Sequence, residues 1–220
     1  MYRRPHCPTF VLAALEDSLP SRSIKKTASS AGTGVFLLLV VNLALFAADK
    51  LLRLPWLPAL YLHSQNPRWW QFITAAFCHH SWDHLSSNLF MLYTFGKIVE
   101  EEEGSGAVWF TYIVCALGAS VASFFFDRGS VSLGASGAVF GLFAVAVLLK
   151  LKFSFQKLVE GLVLGQFVVK QVLQEVKGAQ AGGLVIAGAR VGHVAHLGGA
   201  LMGVLLVLAL TRIPDVKAER

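Results

Sequence analysis

From Gly106 to Phe126 the chain carries no charged residue, and after Asp127, Arg128 and Gly129 a second uncharged run extends from Val131 to Leu149. A helix crossing the hydrocarbon core of a bilayer needs about 20 mostly apolar residues, so each run is long enough to span a membrane. The remaining 180 residues repeat the pattern with interruptions. Gly34 to Ala48 is broken only by Asn42, Leu85 to Ile98 opens on Ser86, Ser87 and Asn88 and ends near Lys97, and Val191 to Thr211 holds no acid or base except His193 and His196. Phe153 to Val169 contains Lys157 and Glu160, which at i, i+3 can pair on one helix face. These runs predict an all-α, polytopic membrane protein of six transmembrane helices with both termini on one side. Composition agrees: 55% of residues are hydrophobic, 15% are charged and mean hydropathy is +0.60, against about 25% charged in soluble domains. Any function must therefore lie inside the membrane part.

Lysine and arginine set the orientation. With the N-terminus inside, that side collects twelve basic residues and the other seven, which places both termini on the positive side. The formal charge of +6 thus belongs to short loops, and nucleic acid is not an expected partner. Residues 1–30 have Arg3, Arg4, Arg22, Lys25 and Lys26 against Glu16 and Asp17, as in a basic tail or the remnant of an organellar transit peptide. The membrane domain is expected over 31–213, with a short tail at 214–220. Between the first two runs, Asp49 to Asp83 holds Pro55, Pro58 and Pro67 among Trp56, Tyr61, Trp69, Trp70 and Trp82. Proline forbids one continuous helix there, and Trp and Tyr favour the headgroup level, so an interfacial loop with short helical pieces is expected. The GAQAGG stretch, Gly178 to Gly183, reads as an exposed turn. Cys7, Cys78 and Cys115 have no paired spacing and suggest neither disulfides nor a zinc site.

Polar groups are costly in hydrocarbon, so their clusters point to a site facing the bundle interior. In SLGASGAVFGLF, Ser136 lies between Gly134 and Gly137 where a polar loop turns into a helix. Its hydroxyl would be unobstructed, and the first-turn N–H groups of the helix would be available to an anion, as a nucleophile with an oxyanion donor requires. The same residues serve a plainer purpose, because Gly137 and Gly141 form a G-x-x-x-G packing face. In the last run His196, Gly199 and Gly203 share a face. If Gly199 and Gly203 meet Gly137 and Gly141, the His196 imidazole is drawn towards Ser136 as a general base; otherwise it is an interior histidine in a helix-helix hydrogen bond. His193, one turn earlier, is taken as structural. His84 and Asn88, four apart, offer ring and amide donors that could hold a tetrahedral oxyanion with the Ser136 amide, or could bond neighbouring helices. His79 and His80 are expected to orient the loop. No acid is placed as a third member, since Asp83, Asp127 and Glu160 look like boundary or paired residues. A buried carboxylate would cost about 2.5–3.5 kcal/mol. Phe140, four residues after Ser136, is the candidate to stack on the histidine ring.

The G-x-S-G of Gly134 to Gly137, the A-H-x-x-G-x-x-x-G from Ala195 through His196 to Gly203, and the H-x-x-x-x-H-x-x-x-N from His79 through His84 to Asn88 resemble the rhomboid family of intramembrane serine proteases. The resemblance runs from about Gly34 to Thr211. It implies a six-helix bundle with Ser136 as nucleophile, His196 as base, and His84, Asn88 and the Ser136 amide as oxyanion hole. It also implies substrates that are themselves transmembrane helices, cut near a membrane boundary. There are two departures. Many rhomboids carry Trp-Arg in the first loop where this chain has Trp70-Gln71, so a loop ion pair or hydrogen bond is expected to be missing. The position four after the serine is often Tyr and here is Phe140. The stretches GHVAHLGGALMGVLL and LVLGQFVV are most similar to plant plastid rhomboids, which implies a plastid envelope membrane. No cofactor or metal is implied. A catalytically silent rhomboid-like protein that binds and escorts or retains membrane clients uses the same scaffold, but such relatives usually lack the serine or the histidine. A metalloenzyme would use the His80 and His84 pair, yet no H-E-x-x-H occurs. A channel or transporter would want charged pathway residues, and Lys157 with Glu160 is the only hint.

Overall fold

The computed structural model describes residues 33–127, 129–151, 185–186, 189–190 and 192–211. Among them are six α-helices: α1 (Thr33–Lys50), α2 (Gln71–Thr74), α3 (Trp82–Glu103), α4 (Ser105–Phe126), α5 (Ser136–Leu151) and α6 (His193–Thr211). Two 3₁₀ turns, Leu57–Leu60 and Ala75–Phe77, flank α2. The architecture is mostly helical, but two short antiparallel strand pairs depart from a purely helical expectation: β1 (Leu62–His63) with β2 (Val131–Ser132), and β3 (Val185–Ile186) with β4 (Ala189–Arg190). By length and composition α1, α4 and residues 193–210 of α6 are able to cross a membrane, and α5 is a shorter apolar helix. The run expected at Phe153 to Val169, its Lys157 and Glu160, the GAQAGG turn and both tails lie outside the described residues.

The helices show how an apolar chain divides its surface between protein and lipid. In α4, Val108, Tyr112, Cys115, Ala119 and Ser123 recur at intervals of three and four and are buried, whereas Phe110, Leu117, Val121 and Phe125 are exposed. Apart from Val108 and Tyr112 these inward residues are small, and the large apolar ones named here face outward, an arrangement suited to lipid. Helix α3 buries Leu85, Asn88, Leu92, Phe95 and Val99 at the same spacing. It starts at Trp82, where the Ser81 hydroxyl caps it by accepting the His84 N–H at 3.2 Å. It continues five residues past Ile98 to Glu103.

That extension has a specific cause. Glu100 is 4% exposed, and its Oε1 accepts the N–H groups of Gly34 (2.7 Å) and Val35 (3.3 Å) and the Ser105 hydroxyl (2.7 Å), while Oε2 meets Lys97 Nζ at 3.2 Å. The first N–H groups of α1 have no carbonyl of their own helix to bond, and the helix dipole favours an anion there. One buried carboxylate therefore caps α1 from α3, with Lys97 balancing its charge. Gly104, at φ +90°, then turns the chain directly into α4.

Helix α5 is the centre of the bundle. From Gly137 to Val147 every residue is buried, and it packs against α3, α4 and α6. The uncharged run Val131 to Leu149 is thus not one helix. Its first residues form β2 and a glycine turn, and the helix begins at Ser136.

Candidate active site

The turn that precedes α5 is held from three directions. β2 pairs with β1 of the first loop, Leu62 opposite Ser132 and His63 opposite Val131. The Ser64 hydroxyl and N–H both reach the Ser130 carbonyl, at 2.8 and 3.1 Å. The Gly134 N–H donates to the Ala75 carbonyl at 2.9 Å, and Tyr112, wholly buried in α4, donates its hydroxyl to the adjacent Ala76 carbonyl at 2.7 Å. Finally, the Ala135 N–H donates to His79 Nε2 at 3.3 Å. Ser136 thus stands at the first position of a central helix, on backbone that β1, the 3₁₀ turn and His79 fix in place.

Because His79 Nε2 accepts that bond, the ring is neutral with its hydrogen on Nδ1, and it interacts with the Phe77 backbone. His79 lies in the loop ahead of α3 and is fully buried; burial first, and then the neighbouring His84 and His80 rings, push its imidazole down to about 3. Cys78 beside it is no nucleophile, since burial pushes its thiol up to about 12.

Helices α5 and α6 meet backbone to backbone. A Cβ built on Gly199 falls onto the Gly137 carbonyl, one on Gly203 comes within 2.5 Å of the Gly141 carbonyl oxygen, and one on Gly141 within 2.8 Å of the Gly199 carbonyl oxygen. Matching glycines ascend together, so the two helices run parallel. Gly198 on the neighbouring face of α6 approaches α4 in the same way, 3.0 Å from the Gly118 carbonyl oxygen. In hydrocarbon such close approach, with the dispersion contacts it permits, takes the place of the hydrophobic effect in holding helices together.

This contact brings the neighbours of the two candidate residues together. A Cβ on Gly137, next to Ser136, would lie 3.1 Å from the carbonyl oxygen of Ala195, next to His196. The His196 ring lies flat on Phe140, with centroids 4.5 Å apart and planes 4° from parallel. His196 is 8% exposed and Phe140 equally so. His193 sits 6.4 Å from His196 edge to face and is also buried.

On the opposite side of the turn, the His84 ring lies against Gly134. A Cβ at that glycine would be 2.6 Å from Cε1 and 2.9 Å from Nε2, and its φ of +134° is a second reason for glycine. His84 Nδ1 faces His80 Nδ1 at 3.0 Å. Asn88, one turn on and buried, donates one amide hydrogen to the His84 carbonyl at 2.9 Å, which leaves the other. Among the described residues no three His, Cys, Asp or Glu side chains gather as a metal ion would need.

Gln71 corrects the expectation of an untied first loop. Its side chain is buried, Oε1 accepts the N–H groups of Arg68 (3.0 Å) and His63 (3.4 Å), and Nε2 donates to the Ala59 carbonyl at 3.1 Å. The Trp70 indole donates to the same carbonyl at 3.2 Å. A neutral amide here replaces an ion pair by three hydrogen bonds. Trp56 and Trp69 are exposed, as rings at a headgroup boundary would be. Sequence reasoning overlooked the Glu100 cap and the His79 tie to the serine turn, because both partners lie more than 50 residues away.

Helices with apolar outer faces around a glycine-packed core mark a polytopic membrane protein. A Rhomboid domain matches residues 66–213, and the chain belongs to the rhomboid family. It is 45% identical over 193 residues to Rhomboid-like protein 11, chloroplastic, of Arabidopsis thaliana, covering 85% of this chain and 69% of that protein. It is 24% identical over 196 residues to Rhomboid protease AarA of Providencia stuartii, covering 79% and 63% respectively. Rhomboid protease GluP of Bacillus subtilis (strain 168) matches at 38% over 73 residues, 33% of this chain and 14% of that one.

Proposed function

We propose that this chain is a serine endopeptidase of a chloroplast membrane that cuts transmembrane helices with Ser136 as nucleophile and His196 as general base. The observation that carries the reading is the flat Phe140–His196 stack one turn above Ser136, in a helix pair whose glycines press the flanking backbones together. A dyad without a carboxylate needs another way to hold its imidazole, and a ring on its face supplies it at lower cost than a buried charge. His196 takes the Ser136 proton as the hydroxyl oxygen bonds to the scissile carbonyl carbon. The developing O⁻ is met by the Ser136 amide at the helix start, the His84 ring and the second Asn88 hydrogen. The proton then passes to the leaving amine as the C–N bond breaks, and water, deprotonated by the same histidine, releases the acyl group.

The plastid assignment follows the chloroplastic relative and the basic segment 1–30. Six spans, with 31–213 as membrane domain, are the reading for the whole bundle, supported by the Rhomboid match over residues 66–213. Substrate helices enter from the surrounding bilayer.

The test uses the full chain in liposomes with a transmembrane-helix reporter, and fluorophosphonate labelling in detergent. Ser136→Ala and His196→Ala, each checked for folding, are expected to lose cleavage by about a thousandfold or more, since a nucleophile and its base act as a unit. Near-normal cleavage by either variant would remove the mechanism. A folded wild type that binds the reporter without cutting it or taking the label would identify a client-binding member of the family.

A further inference from the structure

His80 lies outside the residues given a chemical role, yet its ring is 4.9 Å from that of His84 and the two Nδ1 atoms are 3.0 Å apart. A neutral imidazole carries one hydrogen, so one Nδ1 donates and the other accepts. The two arrangements are not equivalent. If His84 donated, its Nε2, the atom beside Gly134, would be a bare lone pair, and His80 would carry its hydrogen on Nε2. That His80 Nε2 is buried and meets no partner among the described residues. A buried N–H without an acceptor is rarer and costlier than a buried acceptor without a donor. The opposite arrangement removes this conflict: His80 Nδ1–H donates, His80 Nε2 is left as an unused acceptor, and His84 keeps its hydrogen on Nε2, facing the Gly134 turn.

We infer that His80 is a positioning residue, whose Nδ1–H locks His84 in the tautomer that presents an Nε2–H to the turn before Ser136. The consequence for catalysis rests on the proposed role of His84, because only an Nε2–H can donate to an oxyanion there. The tautomer itself does not rest on it.

The experiment is nitrogen-15 NMR of the full chain in detergent with labelled histidine, the His84 signals being assigned by their loss in His84→Asn. The expected wild-type result is a protonated Nε2 and an unprotonated Nδ1 on His84, with a population protonated at Nδ1 appearing in His80→Phe. Protonation of His84 at Nδ1 in the wild type overturns the inference. In the cleavage assay His80→Phe should lower kcat about tenfold at unchanged KM, while His80→Asn, whose amide can donate from a similar position, should stay within about threefold of wild type. Equal losses in both variants, or none in His80→Phe, overturn the positioning role. A wild type that does not cut fails the protease reading alone, and the NMR result still decides the tautomer.

Discussion

Replacing Gly199 by alanine adds one methyl group at the tightest helix contact. The new Cβ would fall onto the Gly137 carbonyl, 2.6 Å from its carbon and 3.1 Å from the Gly137 Cα, where ordinary contact starts near 3.4 Å. Every atom in the way is backbone, so no side chain can rotate aside, and α5 and α6 must part by about 1 Å. Overpacking of this kind costs about 1–3 kcal/mol. The contact lies beside Ser136 and His196, and a displacement of about 1 Å between reacting groups costs roughly 100-fold in rate. Gly199→Ala should therefore lower the detergent unfolding midpoint and cut reporter cleavage by about two orders of magnitude, the rate falling further than the stability loss explains. Gly106→Ala is the control. That glycine is exposed near the start of α4 with nothing within 4 Å of a built Cβ, and alanine in a helix is favoured over glycine by about 1 kcal/mol. It should leave cleavage unchanged and stability equal or higher. Wild-type cleavage by Gly199→Ala would refute the argument that these glycines set the position of the site.

Phe140→Leu keeps an apolar side chain but loses the ring stack, worth about 0.5–1.5 kcal/mol, and should lower kcat up to about tenfold with KM unchanged, whereas Phe140→Tyr should retain the rate. Gln71→Ala leaves the Arg68 and His63 N–H groups and one Ala59 bond without their partner, and should destabilise the protein by about 1–3 kcal/mol in detergent denaturation, with no change in fluorophosphonate labelling of the folded fraction. His79 predicts a pH dependence. Its unfolded pKa is near 6.5 and its folded one about 3, so the unfolded chain binds a proton in that window and the folded chain does not. Stability is full above about 6.5 and falls as pH drops towards 3; His79→Gln should show a shallower loss between pH 7 and pH 4.5, and an identical slope would contradict the buried neutral ring.

Some of this was legible before any coordinates. The uncharged length of α4, the matched glycine spacings of α5 and α6, and a phenylalanine one turn after Ser136 are local patterns, and local patterns survive in a linear sequence. The prolines likewise marked the broken helical pieces of the first loop. What stayed hidden was non-local or unsigned. Val131 to Leu149 carries no charge to mark where loop gives way to helix, so the start at Ser136 depends on β1, Ala75 and His79, all distant in sequence. The run Glu100 to Glu103 reads as the end of a span, although Glu100 is the buried cap of α1. The Gln71 bonds reach backbone atoms, which have no identity in a sequence.

The late start of α5 has one more effect. Sixteen residues of helix cover about 24 Å, against a hydrocarbon core of about 30 Å. Ahead of Ser136 the chain is β2 and a glycine turn, and non-helical backbone at membrane depth is tolerated only where protein or water surrounds it. Hydrolysis consumes a water molecule that the bilayer interior does not provide. For the proposed hydrolysis, a serine at the start of so short a described helix would lie nearer an aqueous face than the middle of a full-length span does, at a point that both water and a membrane helix could reach.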